Sequence, residues 1–357
     1  MSEAATIPVF VLGGSGYVAG ELLRLLSSHP RFSAAGVVSA GHVGEPVAAA
    51  FPHLEGTSVG RLTFEGLDDA CAKLRPRDPV GVFAATPHGA TAELLDTFLS
   101  RAEDAGAVPR AVDLSADFRL RSPEAFAAVY GKAHGAPARL PSFVCAVPEH
   151  RAGRPEAHAA QPGCFTTSVV LPAYPLLKAG LCEGPLFVSA ITGSSGSGRL
   201  PSPATHHPER HSNVRAYAPL AHRHEHEMRQ LLAPAAGGIE PDVEFVPHSG
   251  PFARGIHATL RLSLRERISA EDAVKVLNDF YGPASFVIAS IPTPSLTEVV
   301  GTNRCRIGVA VRDRTLVATS VIDNLVKGAA GGGVQWMNRL FGFDDDLGLR
   351  LAGLGWY

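Results

Sequence analysis

The chain is poor in the features that mark several protein classes. Its net charge is only −2, and Lys and Arg are scattered singly; a nucleic-acid partner would ordinarily call for a basic face, so none is expected. No apolar run approaches the roughly 18–20 residues of a membrane span, so no membrane partner is expected. The opening MSEAATIPVF is acidic and short before the first strand, unlike a secretory leader, and a cytoplasmic location is the expectation. There is no low-complexity tract, and no repeat with a period of about 20–50 residues. The five cysteines, Cys71, Cys145, Cys164, Cys182 and Cys305, are odd in number, widely spread and without a C-x-x-C pair. A disulfide framework or zinc ribbon is therefore not expected, and each cysteine is read singly.

What the chain does have is an alternation of strands and helices. Ile7–Leu12 (IPVFVL) is a continuous apolar run of the kind that forms a buried parallel strand. The loop Gly13–Gly20 follows, then ELLRLLSSHP, whose leucines recur at helical spacing until His29-Pro30 stops them. Ala34–Ser39, Val80–Ala85 and Arg110–Leu114 read as further strands, with a helix over AELLDTFLSRAED. This alternation predicts a parallel sheet with right-handed crossovers, a Rossmann-like half. The pattern changes after about Glu149. Leu186–Ile191, Val243–Val246, Ile256–Leu264, Arg306–Arg312 and Leu316–Val321 read as strands, with helices over Cys164–Leu177, Glu225–Leu232 and Ala270–Tyr281. At 357 residues the chain suits two cores better than one. The expected fold class is α/β: a Rossmann-like domain over 1–160 and an α+β domain with a mixed sheet over 161–324. A closing helix over 325–345 is expected to pack back on the first.

In Gly13-Gly14-Ser15-Gly16-Tyr17-Val18-Ala19 small residues sit between the first strand and the first helix. Glycines there permit a tight turn and let backbone N–H groups approach a pyrophosphate, to which the helix N-terminus adds partial positive charge. The spacing is G-x-x-G-x-x-A, and a structural turn is the competing reading. After the second strand comes Ser39-Ala40-Gly41-His42, with no Asp or Glu at the ribose position. An acid there would repel a 2′-phosphate, so its absence points to NADP(H) rather than NAD.

Gln161-Pro162-Gly163-Cys164-Phe165-Thr166-Thr167 leads into the apolar helical run SVVLPAYPLL. A Pro-Gly turn would put Cys164 at a helix start, where free N–H groups stabilise a thiolate and lower the thiol pKa. The alternative is a small buried hydrophobe, which is how the other four cysteines are read. Six histidines lie between His206 and His226, ending in His222-Arg223-His224-Glu225-His226. They are open to three readings: acid/base partner for a thiolate, solvated loop, or zinc site of a hydrolase. No H-E-x-x-H is present, no metal ligands are assigned, and the residues alone do not choose among the histidines.

Taken in order, GGSGYVAGELLRLLSSHP, ATPHGAT, DLSADFRL, AVPE, QPGCFTT, GSSGSGR, AHRHEHE, ARGIHATL and VIDNLVKGAAG resemble the N-acetyl-γ-glutamyl-phosphate reductase family, the arginine-pathway relative of aspartate-semialdehyde dehydrogenase. The resemblance implies an NADP(H)-dependent reductase that turns a small-molecule acyl phosphate into an aldehyde through a thioester on Cys164. It implies His224 as acid/base with His222 close by, and a cofactor held by Gly13, Ser15, Gly16, Tyr17, Val18 and Ser39. Asn324 is implied to reach the nicotinamide region. Arg119, Arg199, Arg254 and His222 become candidates for the substrate's phosphate or carboxylate, because the arginine fork is bidentate and always charged; for each arginine the alternative is a structural salt bridge. The second domain becomes a catalytic and dimerisation domain, giving a homodimer or homotetramer. The chain also departs from the family. Its common pattern is Asn-Pro-Gly-Cys-Tyr-Pro-Thr, where this chain has Gln161, Phe165 and Thr166. The stretch SPATHHPERHSNVRAYAPLAHRH looks more like the lysine-pathway branch, which reduces an aminoadipyl or glutamyl phosphate carried on an acidic amino-group carrier protein. Arg210, Arg215 and Arg223 would meet such a carrier electrostatically.

Overall fold

In the computed structural model, which describes residues 6–155, 157–282 and 286–355, the chain divides into two units. One is Met1–Gln161 with Ala330–Arg350, the other Pro162–Ala329 with Leu351–Tyr357. Part of the segment read for a leader, residues 1–5, lies outside the described residues.

The first unit is built on β1 (Ile7–Leu12), β2 (Phe32–Val38), β3 (Phe64–Glu65), β4 (Pro79–Ala84), β5 (Val108–Asp113), β6 (Phe143–Cys145) and β7 (His158–Ala160), in the order β3-β2-β1-β4-β5-β7-β6. Every pairing is parallel. Val9, Phe10, Val11 and Leu12 are all buried, so β1 is covered on both faces, as an unbroken apolar run requires. The Thr91–Asp104 helix buries Leu95, Phe98, Leu99 and Ala102, one stripe at helical spacing. Asp117, fully buried, accepts hydrogen bonds from the N–H groups of Gly89, Thr91 and Ala92, satisfying the start of that helix from outside it. Asp113 likewise accepts from Ser115 and Phe118 N–H, and burial pushes its carboxyl up to about 6. The DLSADFRL segment thus builds turns at the ends of β4 and β5. The Gly331–Leu340 helix belongs to this unit and packs on β5 and on the Tyr17–Leu26 helix. A Cβ on Gly332 or Gly333 would stand 2.6 Å from the side chain of Gln161 or Leu114. The expected single helix over 325–345 is in fact a π-helical turn, Val326–Ala330, followed by this α-helix.

The second unit carries a mixed sheet of β8 (Cys182–Thr192), β9 (Arg215–Ala216), β10 (Val243–Ser249), β11 (Ile256–Leu264), β12 (Val287–Ser290), β13 (Cys305–Arg312) and β14 (Thr315–Ile322), in the order β12-β13-β14-β11-β8-β10-β9. The β8–β10 and β12–β13 pairs are parallel and the others antiparallel. The Cys164–Lys178 helix packs on β11 and β14, and against the His224–Leu232 and Ala270–Tyr281 helices. Two prolines lie inside it. Pro175 has no N–H for the Leu171 carbonyl, and the Tyr281 hydroxyl donates to that carbonyl instead at 2.6 Å. β8 is longer than its apolar pattern predicts, because it runs on through Gly184-Pro185 with a register irregularity against β11. β3, β6, β7, β9 and β12 were not expected; strands of two to four residues are too short to display an alternation.

Candidate active site

Gly163 (φ −57°, ψ 152°) is the last extended residue before the helix that begins at Cys164. Gly163 supplies no side-chain cap and the first turn holds no acid of its own, although Glu227 of another helix accepts the Gly163 N–H; the partial positive charge of the helix end falls on the cysteine position. The thiol is half-buried. Behind it Phe165, Thr166, Thr167, Val169 and Val170 are buried, which fixes the helix that presents it.

The histidine segment separates into parts. His206, His207, His211 and His226 are exposed, whereas His224 is buried and opens the His224–Leu232 helix. Its ring lies on Gly163: a Cβ at that residue would stand 2.5 Å from Nε2 and 2.6 Å from Cε1. The imidazole therefore occupies the space a side chain would need immediately before Cys164. His222 is half-buried, and its Nδ1 accepts the His224 N–H at 3.2 Å. It meets Phe165, Tyr217, Phe245 and His224 edge to face. Among the described residues no group of three His, Cys, Asp or Glu side chains is placed to hold a metal ion.

Burial first, and the Arg223 charge second, lower the His222 pKa to about 4, against an opposing pull from Glu227. His222 is therefore a neutral acceptor near pH 7. Its folded value lies below the ordinary 6.5, so its contribution to stability is complete above about 6.5 and is lost as pH falls towards 4. A histidine NMR titration is expected to find two rings titrating near 4, His158 and His222, one of which vanishes in His222→Gln; an ordinary midpoint for the ring lost in that variant would refute this.

The turn Val326–Ala330 closes on the cysteine from another side, where a Cβ on Gly328 would stand 2.7 Å from that of Cys164. Asp323, fully buried, anchors this turn by accepting from the N–H groups of Gly301, Leu325 and Val326 and from Arg254 Nε at 3.1 Å. Arg254, read as a substrate ligand, thus has part of its fork committed to a buried partner, with Nη2 2.8 Å from the same Asp323 oxygen. Asn324, read as reaching the nicotinamide, is buried, with Oδ1 accepting from Gly255 N–H and Nδ2 donating to Ser195 Oγ. Arg119, in the first unit, is buried and donates to the carbonyls of Gln161 and Leu114. Arg199 is exposed.

Three residues near Cys164 went unnoticed in the sequence. Asp323 carries the turn. Tyr217 packs on His222, and burial, with the Cys164 charge next, pushes its phenol well up. Glu227 accepts from Gly163 N–H and Thr166 Oγ; its place one turn after His224 was the available signal.

In the first unit β1 lies between β2 and β4, where the strand order reverses, and a ligand crevice opens at the carboxyl ends of such strands. Gly13 follows β1 with φ +80°, and a Cβ there would stand 2.6 Å from the Thr86 backbone nitrogen, so both conformation and space demand glycine. Nothing lies within 4 Å of a Cβ on Gly16, and no side chain caps the Tyr17–Leu26 helix that follows. Ser15, Gly16 and Val18 are half-exposed and Tyr17 is exposed, while the buried Ser39 donates from Oγ to Ser15 Oγ at 3.3 Å. An open backbone at an uncapped helix start suits a dinucleotide phosphate.

Comparison with known proteins agrees with this division. Residues 8–158 match the semialdehyde dehydrogenase NAD binding domain, and residues 164–324 match the semialdehyde dehydrogenase dimerisation domain. The chain is 41% identical to the N-acetyl-γ-glutamyl-phosphate reductase of Azotobacter vinelandii, over 98% of this chain and 99% of the relative. It is 38% identical to the putative [LysW]-L-2-aminoadipate 6-phosphate reductase of Thermomicrobium roseum, again over 98% and 99%. Aspartate semialdehyde dehydrogenase II of Vibrio cholerae shares the fold, with a TM-score of 0.68, 15% identity, and coverage of 95% of this chain and 99% of that one. With such identity over nearly its whole length, the chain belongs to the N-acetyl-γ-glutamyl-phosphate reductase family, oxidoreductases built on the semialdehyde dehydrogenase fold.

Proposed function

We propose that the protein reduces N-acetyl-γ-glutamyl phosphate to N-acetyl-glutamate 5-semialdehyde with release of phosphate, Cys164 being the nucleophile and His224 the acid/base. The observation that carries this reading is a half-buried thiol at a helix start, with the His224 ring on the glycine before it. The helix end favours the thiolate, which attacks the acyl carbon; the bond to phosphate breaks and a thioester forms on Cys164. When bound, NADPH supplies the hydride that brings this carbonyl to the aldehyde level. Main-chain N–H groups of the Cys164 helix face charge developing on the carbonyl oxygen. His224 gives that oxygen its proton and takes it back as the carbon–sulfur bond breaks, releasing aldehyde and thiolate. His222, neutral, orients the His224 backbone. Gly13, Ser15, Gly16, Tyr17, Val18 and Ser39 hold the dinucleotide, while Arg199 and Arg254 meet the anionic substrate. Asn324 reaches the nicotinamide region, and Arg119 is a further candidate for the substrate's anionic groups.

The test is the reverse reaction. N-acetylglutamate semialdehyde, inorganic phosphate and NADP are expected to yield NADPH only when all three are present. NADPH formation without phosphate, or none at all, would sink the proposal. Ser39→Asp places a carboxylate at the ribose position and is expected to weaken NADPH binding about tenfold or more, with NADH within about twofold, in a fluorescence titration.

One observation favours a second substrate. The Thermomicrobium relative is named for a carrier-linked aminoadipate phosphate, and Arg215 and Arg223 stand exposed among the exposed histidines. Preference for carrier-linked aminoadipate semialdehyde in the same assay would select that branch. The dimerisation-domain match supports a homodimer or homotetramer. The proposal places the enzyme in the cytoplasm; no described helix is long and apolar enough to cross a membrane.

A further inference from the structure

Glu227 stands one turn beyond His224 on the same helix, with its side chain almost wholly buried. It reaches across to the other helix of the site. Its Oε2 accepts the Gly163 N–H at 2.8 Å and the Thr166 hydroxyl at 3.0 Å. Gly163 precedes Cys164 and Thr166 lies two residues beyond it, so one carboxylate oxygen holds both flanks of the cysteine. The same Thr166 hydroxyl lies 3.4 Å from the His224 carbonyl, and Thr166 has no exposed surface. A buried carboxylate is expensive unless donors hold it, and once held it is a rigid point.

We propose that Glu227 is a positioning residue that, through Gly163 N–H and Thr166 Oγ, clamps the helix bearing Cys164 to the helix bearing His224 and so sets thiol against imidazole. It acts through those two partners and not on the substrate, and the inference rests on the reading of Cys164 as nucleophile. Among the described residues, the other titratable or charged groups at this point include His222, Arg223, Tyr217 and Arg210. A negative charge held there opposes the thiolate and supports a protonated imidazole.

The experiment uses the full chain without substrate or cofactor. Iodoacetamide labelling of the Cys164 peptide is followed by mass spectrometry across pH, beside steady-state turnover. Glu227→Gln keeps an acceptor oxygen but removes the charge, and is expected to move the pH midpoint of labelling down by about half to one unit. Thr166→Val is expected to lower kcat about tenfold with little change in KM, and Thr166→Ser to stay within about twofold of the parent. If Glu227→Gln and Thr166→Val both leave midpoint and kcat at parental values and only lower Tm, the bonds are structural and the proposal is overturned. Should Glu227→Gln fail to fold, the two Thr166 variants decide alone. A parental midpoint at the ordinary thiol value of about 8.5 would instead overturn the reading of Cys164, and the inference with it.

Discussion

Cys164→Ser is expected to lower kcat by about a thousandfold or more while leaving NADPH binding within about twofold. The size of the loss follows from what the helix start can do. Partial charge from a few N–H groups at a helix start can ionise a thiol near neutral pH, but it falls far short of ionising a serine hydroxyl. The variant would therefore fail at the first bond-forming step. Binding should survive, because the glycine loop and Ser39 lie in the other unit. Turnover with acyl phosphate and a parallel NADPH titration check both halves. Near-native turnover would remove the cysteine from the chemistry, and joint loss of turnover and binding would point to misfolding.

Gly163→Ala is expected to cost about a hundredfold in kcat with the fold intact. The backbone at Gly163 is extended, with φ −57° and ψ 152°, and alanine adopts that conformation without strain. The obstacle is His224. A new methyl would stand 2.5 Å from Nε2, 2.6 Å from Cε1 and 2.8 Å from Cδ2, so the imidazole has to swing away by about an ångström. Misplacing a catalytic group by that distance costs about two orders of magnitude. Circular dichroism and Tm should stay close to the parent while kcat falls. Native turnover would mean that His224 is not needed where it lies.

Cys164 could be singled out from the sequence because its signal is local: a Pro-Gly turn, then an apolar helical run, within a dozen residues. β1 and the glycine loop were legible for the same reason. The choice among His222, His224 and His226 was not, since a helix begins inside the H-x-H-x-H alternation and sends neighbouring rings to different surroundings. Glu227 was hidden because its partners, Gly163 and Thr166, lie more than sixty residues away. The backbone bonds of Arg119 and Asn324 were hidden for a related reason: inside a motif, a polar side chain that staples backbone looks the same as one that does not.

The glycines of the Gly331–Leu340 helix bear on attempts to engineer a hardier enzyme. Exchanging helical glycine for alanine is a common route to a higher melting temperature, since each exchange can return up to about 1 kcal/mol. At Gly332 and Gly333 that route is closed, because the added methyl would press into Gln161 and Leu114. Gly20, in the Tyr17–Leu26 helix, is blocked by the Phe51 ring at 2.6 Å. A consensus or helix-propensity redesign that overlooks these contacts would trade packing for propensity and lose stability. Thermostabilising changes belong instead on a helix with an exposed face, such as Ala270–Tyr281.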